Sequence, residues 1–245
     1  MKPIVLRTNA TAVYRFLSLI HQELDEGDTL EGKSILDCGA GGPIPPVAIF
    51  AEQGMDAHGI DISERQIELS RAFCAETGLV VSLRRADMRA LPHEDEAFDY
   101  VYEHYSMCHL DADDTARALA EMRRVLKPGG TAFIGLISAD SWPLSSYGSE
   151  RKPGEYWVVE DGEERFHAMF TDRQGDGLVA DWEIAQKEKA VLILREQGLN
   201  VTEDGWRALH PEARDTCSET EWMARYQERA DYFTYVHVYY MLRKR

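Results

Sequence analysis

This sequence predicts an α/β fold built on a mostly parallel sheet with helices on both faces. Two observations carry that expectation. From residue 35 to 138, short apolar runs rich in β-branched and aromatic residues alternate with segments of helical periodicity. That alternation is the signature of parallel strands joined by helical crossovers. The chain's 245 residues also suit one sizeable core better than two separate domains.

The elements follow in order. Val13, Phe16, Leu17, Ile20 and Leu24 recur at helical spacing and predict a first amphipathic helix over 11–24. "SILDCG" is a short apolar strand, and the glycine-rich turn after it leads to a helix over 46–54. Three prolines, Pro43, Pro45 and Pro46, crowd the start of that helix, and Gly54 closes it. "DAHGIDIS" is a second strand ending in Asp61. Ser63 then caps a helix, with Gln66 three residues on as a capping-box partner, and Gly78 stops it. "VVSLRRAD" and "FDYVYEH" are the third and fourth strands. In "DADDTARALAEMRRVL" the residues Leu119, Met122, Val125 and Leu126 share one helical face. "KPGG" reads as a turn, and "TAFIGLIS" as a fifth strand.

After Ser138 the rhythm breaks. A hairpin is expected from strands over 155–159 and 164–170, joined by "EDGE". A helical pattern resumes near Asp181 and ends at Gly198. A strand near 200–202 and a short capped helix from Ser218 and Glu221, carrying Trp222, Met223 and Tyr226, come next. "YFTYVHVYYMLRKR" closes the chain with strongly β composition.

Composition narrows the partners. The formal net charge of −16 repels phosphate backbones and anionic membrane surfaces, so no nucleic acid and no membrane partner is expected. Cys38, Cys74, Cys108 and Cys217 form no CxxC pair and show no metal-ligand spacing, so no metal is expected and reduced thiols suit a cytoplasmic protein. "MKPIVLRTNA" has no apolar core of signal-peptide length.

The ordered set "ILDCGAGG", "GIDIS", "RADMRALP", "FDYVYEH" and "RRVLKPGG" resembles the class I S-adenosylmethionine-dependent methyltransferases, especially their small-molecule branch, over residues 33–138. The resemblance implies a Rossmann-like, seven-stranded, mostly parallel sheet with an antiparallel C-terminal strand, for which "YFTYVHVYYML" is the candidate. It implies a single methyltransferase domain over 1–245, with an inserted lid or substrate segment at 139–180 and a second small insertion at 205–230. The implied cofactor is S-adenosyl-L-methionine, leaving S-adenosyl-L-homocysteine, and the implied partner is a small-molecule acceptor.

By that resemblance, Gly39, Ala40 and Gly41 pack along the cofactor, where the glycines' missing Cβ atoms permit close approach. Asp61, with Ile62 beside it, accepts hydrogen bonds from the ribose. Asp87 accepts from the adenine amino group, and Met88 contacts the ring. Asp37 holds the loop structurally. Tyr14, with Arg15, covers the cofactor from the first helix or is plain helix surface. His104 contacts the cofactor. His104, His109 and His167 are the candidate catalytic bases, required only if the acceptor must lose a proton. His109 reads at least as well as a loop-packing residue, and His167 slightly better as a hairpin surface residue. Trp142, Tyr147, Tyr156 and Trp157 form a lid over an acceptor or the insertion's own core, and exposed aromatics there also suit a homodimer.

Two other functions compete. A nicotinamide-dependent oxidoreductase needs GxGxxG spacing and free N–H groups at the helix start for its pyrophosphate. "GAGGPIPP" has neither, because proline lacks the donor. A non-catalytic S-adenosylmethionine-binding sensor or partner subunit stays open.

Overall fold

A computed structural model describes residues 10–141, 149–160, 163–195 and 232–245. Ten strands, five α-helices and a 3₁₀ turn are found among them. In order these are α1 (Ala10–Glu23), β1 (Ser34–Cys38), α2 (Val47–Glu52), β2 (Asp56–Asp61), α3 (Glu64–Thr77), β3 (Ser82–Arg85) and β4 (Phe98–His104). There follow the 3₁₀ turn Met107–His109, α4 (Ala112–Val125), β5 (Leu126–Ile137), β6 (Ser149–Lys152), β7 (Glu155–Glu160), β8 (Glu163–Ala168), α5 (Asp172–Leu178), β9 (Glu183–Arg195) and β10 (Tyr232–Arg243). The main sheet runs β3-β2-β1-β4-β5-β10-β9, and β6-β7-β8 make a second, three-stranded sheet. Strands β1 to β5 pair in parallel, while β10 pairs antiparallel with both β5 and β9. The expected seven-stranded sheet with an antiparallel C-terminal strand is therefore present. The order reverses between β1 and β4, so their carboxyl ends diverge into a crevice where open α/β sheets take ligands.

Two apolar clusters sandwich the sheet. On one side α1 and α2 bury Val13, Phe16, Leu17, Ile20, Val47, Ile49 and Phe50. On the other, α4 buries Ala118, Leu119, Met122 and Val125, joined by Val179 and Trp182. Phe16 centres the first cluster, with its ring 5.3 Å from Phe133, 5.9 Å from Tyr102 and 6.0 Å from Phe50. These aromatic contacts explain why α1 closes over the sheet although its sequence lies outside the β–α alternation.

Three sequence expectations are corrected. The segment expected as a helix over 181–198 is strand β9 from Glu183. Ala, Glu, Lys and Leu favour helix locally, but a long antiparallel ladder with β10, interrupted by one bulge between Met241 and Leu242, overrides that preference. Period-2 burial is visible in it: Gln186, Glu188 and Ala190 are half-buried, while Lys187, Lys189 and Val191 are exposed. Helix α5 was not expected, because "DRQGDGL" has two glycines in seven residues. It forms on a complete capping box between Thr171 and Gln174. A Cβ at Gly175 would lie 2.6 Å from the Tyr240 hydroxyl, so a glycine is needed there. Finally, "KPGG" is no separate turn but part of β5, absorbed as a register slip against β4 between Phe98 and Tyr100.

The hairpin of β7 and β8 pairs as expected. The strand expected near 200–202, the capped helix at 218–226, the insertion at 205–230, Cys217 and the aromatics Trp142 and Tyr147 lie outside the described residues. No helix among the described residues is long and apolar enough to cross a membrane.

Truncating the aromatic centre tests this packing. Phe16→Ala is expected to cost about 3–5 kcal/mol, read as a lowered denaturant midpoint with an unchanged slope. A loss under about 1 kcal/mol would contradict the placement of Phe16 at the core.

Candidate cofactor and acceptor site

The glycine loop is threaded between the ends of β2 and β4. Gly39 and Ala40 donate their N–H groups to the carbonyl of Ile60 at 2.9 and 2.8 Å. A Cβ on Gly39 would lie 2.0 Å from Ser106 Oγ, and Gly39 has a φ of 139°. A Cβ on Gly41 would lie 2.2 Å from Asp61 Oδ2. The glycines are thus required by the protein itself, and the backbone reaches both neighbouring strand ends. Ser70 of α3 fixes the far side of the loop, its hydroxyl donating to the carbonyls of Ala40 (2.5 Å) and Gly42 (3.1 Å).

The three prolines fall into place. Pro43 is exposed, Pro45 is buried, and Pro46 occupies the N-cap of α2 with helical φ and ψ. The first N–H groups of α2 already have acceptors. Val47 N–H reaches the Asp37 carboxylate, Ala48 N–H the carbonyl of Pro45 at 3.1 Å, and Ile49 N–H that of Pro46 at 2.9 Å. Asp37 is therefore the loop's internal clamp, as the resemblance implies. Few donors remain for a phosphate at this helix start.

Asp61 sits half-buried at the tip of β2. Its carboxylate accepts from the N–H groups of Ser63 (2.8 Å) and Gly41. That acceptance changes the expected capping box. Ser63 Oγ accepts from Gln66 N–H at 3.4 Å, but the Ser63 N–H goes to Asp61. Desolvation raises the Asp61 pKa, opposed by these two hydrogen bonds. Ile62, beside it, is 61% exposed and offers an apolar surface.

At the end of β3, Asp87 is held by its own neighbour. Arg89 meets both carboxylate oxygens, with contacts of 2.6 to 3.1 Å, and its other guanidinium arm reaches Asp114 at 2.5 Å. Hydrogen bonds from Arg89 keep the Asp87 pKa below the usual range. Met88 is half-buried against the α4-side core.

The β4 end carries a buried acid. Glu103 Oε1 accepts from the N–H groups of Ser106 (2.8 Å) and Met107 (2.7 Å), while Oε2 is buried without a hydrogen-bond partner among the described residues. Burial pushes its pKa up to about 7, against the pull of those two hydrogen bonds. Between them Tyr105 adopts a left-handed φ of 72°, a strained conformation that the Glu103 clamp supports. Asp37 is buried too, and both desolvation and the Glu103 charge hold its carboxyl well above the usual range.

The three histidines separate into two groups. His104 Nε2 lies 3.2 Å from His237 Nδ1 of β10, and the two rings are 4.8 Å apart. Burial pushes His104 down to about 3 and His237 to about 4, so both are neutral and weakly basic at pH 7. His109 and His167 instead meet each other, with centroids 4.8 Å apart and rings at 87°. His109 is exposed, whereas His167 on β8 is buried rather than on the hairpin surface, because β8 packs its inner face on the 3₁₀ turn and the end of β5. Cys108 adjoins this pair, so the fold assembles a Cys/His/His group that sequence spacing did not signal.

Tyr14 is 41% exposed on α1. Arg15, beside it, does not reach toward a ligand: its guanidinium pairs with Glu188 on β9, with Nε to Oε2 at 2.7 Å. The small sheet is stitched to the end of β5 and to the 3₁₀ turn. Ser138 bridges Phe170, and Tyr156, Met169, Ile137 and Cys108 share one apolar cluster with Tyr105 packed against it. A cavity of about 500 Å³ lies elsewhere, against α4 and Trp182, and none of the predicted site residues lines it. Sequence reading missed Ser70, Ser106, Cys108 and His237. Ser70 lies on the inward face of a capped helix and could have been flagged, but the partners of the other three are set by chain crossings.

Comparisons with known proteins agree with this geometry. Residues 36–134 match the family described as a methyltransferase domain. The chain is 32% identical over 130 residues to the methyltransferase GfsG of Streptomyces halstedii, covering 52% of this chain and 45% of that protein. It is 34% identical over 125 residues to a ubiquinone biosynthesis O-methyltransferase of Methylococcus capsulatus, covering 50% and 52%. The chain thus spans about half the length of the curated relatives it matches. A solved S-adenosylmethionine-dependent methyltransferase from Methanosarcina mazei shares the fold with a TM-score of 0.64 at 18% identity, over 92% of this chain and 96% of that one.

The Glu103 pKa sets a pH signature. Its folded value of about 7 exceeds the ordinary 4.5, so the folded state holds a proton that the unfolded chain loses. This contribution to stability is full below pH 4.5 and disappears as pH rises to about 7. Glu103→Gln keeps the acceptor for Ser106 and Met107 but cannot ionise. Melting temperatures measured from pH 4 to 8 are expected to show the variant gaining on the parent across that window. Parallel curves would contradict a buried, proton-holding Glu103.

Proposed function

We infer that this chain, whose residues 36–134 match a methyltransferase domain, is a class I S-adenosylmethionine-dependent methyltransferase that methylates a small organic acceptor. S-adenosyl-L-methionine is the donor and S-adenosyl-L-homocysteine the product. The observation that carries this reading is the joint held by Gly41 and Asp61. A glycine backbone is pressed against an acid at the tip of the adjacent strand, and the helix behind it has its first N–H groups already occupied. Such a mouth suits a ligand with a diol and no phosphate.

The residues fit the cofactor in kind. Asp61 keeps acceptor capacity beyond the two N–H groups it receives, enough for ribose hydroxyls. Gly39, Ala40 and Gly41 offer a backbone surface, and Ile62 and Met88 apolar contacts. Asp87 can join them at the adenine with whatever capacity Arg89 leaves. When bound, the cofactor supplies an electrophilic methyl group on a sulfonium, open to in-line displacement. The protein's part is to align the acceptor and exclude water. The β6-β7-β8 sheet, as a lid with Tyr156 and Trp157, supports that part. His104, neutral and weakly basic, serves as a contact surface rather than a base. If the acceptor must lose a proton, His109 and His167 are the better placed.

A small-molecule acceptor is in keeping with the ubiquinone-pathway O-methyltransferase relative. The competing reading is a non-catalytic sensor with the same cofactor pocket. Incubation with labelled S-adenosylmethionine and fractionated metabolite pools separates the two: label in a small product supports transfer, and none supports the sensor.

Calorimetry tests the pocket. S-adenosylmethionine and S-adenosylhomocysteine are expected to bind and NADH is not. Asp61→Ala, checked for folding by its melting curve, should weaken both sulfur ligands about 10- to 100-fold, because each lost bond to a charged group is worth about 1.5–3 kcal/mol. Unchanged affinity in a folded variant would contradict the ribose role of Asp61.

A further inference from the structure

We propose that Cys108, His109 and His167 bind a divalent transition-metal ion of the zinc class. One sulfur and two imidazole nitrogens from these residues all lie within 4.8 Å of one another. Cys108 and His109 are consecutive on the 3₁₀ turn 107–109, and His167 comes from β8, so folding assembles the group. Nothing in the linear spacing announces it.

The surrounding bonds prepare the donors. His109 Nδ1 lies 3.0 Å from the carbonyl oxygen of Phe166. A carbonyl can only accept, so Nδ1 carries a proton, and in the neutral imidazole Nε2 is left with its lone pair for a metal. A carbonyl on the second nitrogen is the usual way a metal-binding histidine is oriented. Because Phe166 directly precedes His167, the same contact ties both imidazoles to one strand.

The donor set selects the ion. A thiolate and two imidazoles suit zinc, cobalt(II) and their neighbours and disfavour magnesium and calcium, which seek oxygen. With Zn–S near 2.3 Å and Zn–N near 2.0–2.1 Å, tetrahedral donors sit roughly 3.5 Å apart, so the group must draw in by about 1 Å. His109 is exposed and can swing, while Cys108 and His167 are buried and form the floor. Cys108 Sγ currently donates to the Tyr105 carbonyl at 3.2 Å. Coordination replaces that bond, and the thiol proton passes to solvent. Three protein ligands leave a fourth position open, the arrangement of zinc sites that take an exogenous ligand. In the loaded protein His109 and His167 are ligands and not bases. The proposal does not depend on methyl transfer.

The test is a titration of the full chain, stripped with chelator, with cobalt(II) alone. One equivalent is expected to bind, with thiolate-to-cobalt charge-transfer absorption, proton release and displacement by zinc. Cys108→Ser should abolish the charge-transfer band, and His109→Ala should weaken binding at least about tenfold. His109 is exposed, so that variant reports even if a change at buried His167 prevents folding. Absence of saturable binding, or binding unchanged in both variants, overturns the proposal.

Discussion

No side chain fits at residue 39 or 41, and the mouth of the sheet depends on that. Serine 106 fills the space beside one position and Asp61 the space beside the other, each about 2 Å from where a Cβ would stand. The turn after β1 can therefore touch the ends of both flanking strands at once. Asp61 consequently meets the loop backbone directly and is held by the N–H groups of Gly41 and Ser63. A larger residue at either position would push those strand ends apart.

Around that joint the backbone N–H groups and most carboxylate oxygens are engaged by the protein itself, with Asp37 Oδ2 and Glu103 Oε2 the exceptions among the described residues. Asp37 takes the first N–H of α2, and prolines remove or replace others. Glu103 clamps the strained turn at Tyr105, and Arg89 holds Asp87. Burial raises the proton affinity of both Asp37 and Glu103, and the charges of Glu103 and Asp61 add to it at Asp37. Such a mouth is hostile to a pyrophosphate and hospitable to a neutral or cationic ligand. That electrostatic character separates it from a dinucleotide site with the same strand–turn–helix plan.

Much of this was legible in the sequence, and the reasons are physical. Strands β1 to β5 and their helices are local: apolar period, the cap at Ser63, and a left-handed stop at Gly78 lie within a few residues of the elements they set. The glycine loop and Asp61 were legible because a close backbone approach leaves few residue types possible. Strand β9 was not, because its state is decided by β10, whose paired residues lie 37 to 60 positions away. Helix α5 was masked by its two glycines, of which Gly175 is required by Tyr240. The histidines share the same limit. His104 looked reactive from its place after a strand, but His237, 133 residues on, buries it in a neutral pair. The grouping of Cys108 and His109 with His167 depends on how the 3₁₀ turn packs on β8.

The cofactor reading turns on Asp61, the acid at the tip of β2, as the proposed acceptor for the ribose of an S-adenosyl ligand beside the glycine loop. A crystal structure of the chain with S-adenosylhomocysteine measures this directly. Both ribose hydroxyls are expected within hydrogen-bonding distance of the Asp61 carboxylate, with the sulfur side of the ligand along 39–41. A ligand bound with its ribose away from Asp61, or seated at another surface, would contradict the account.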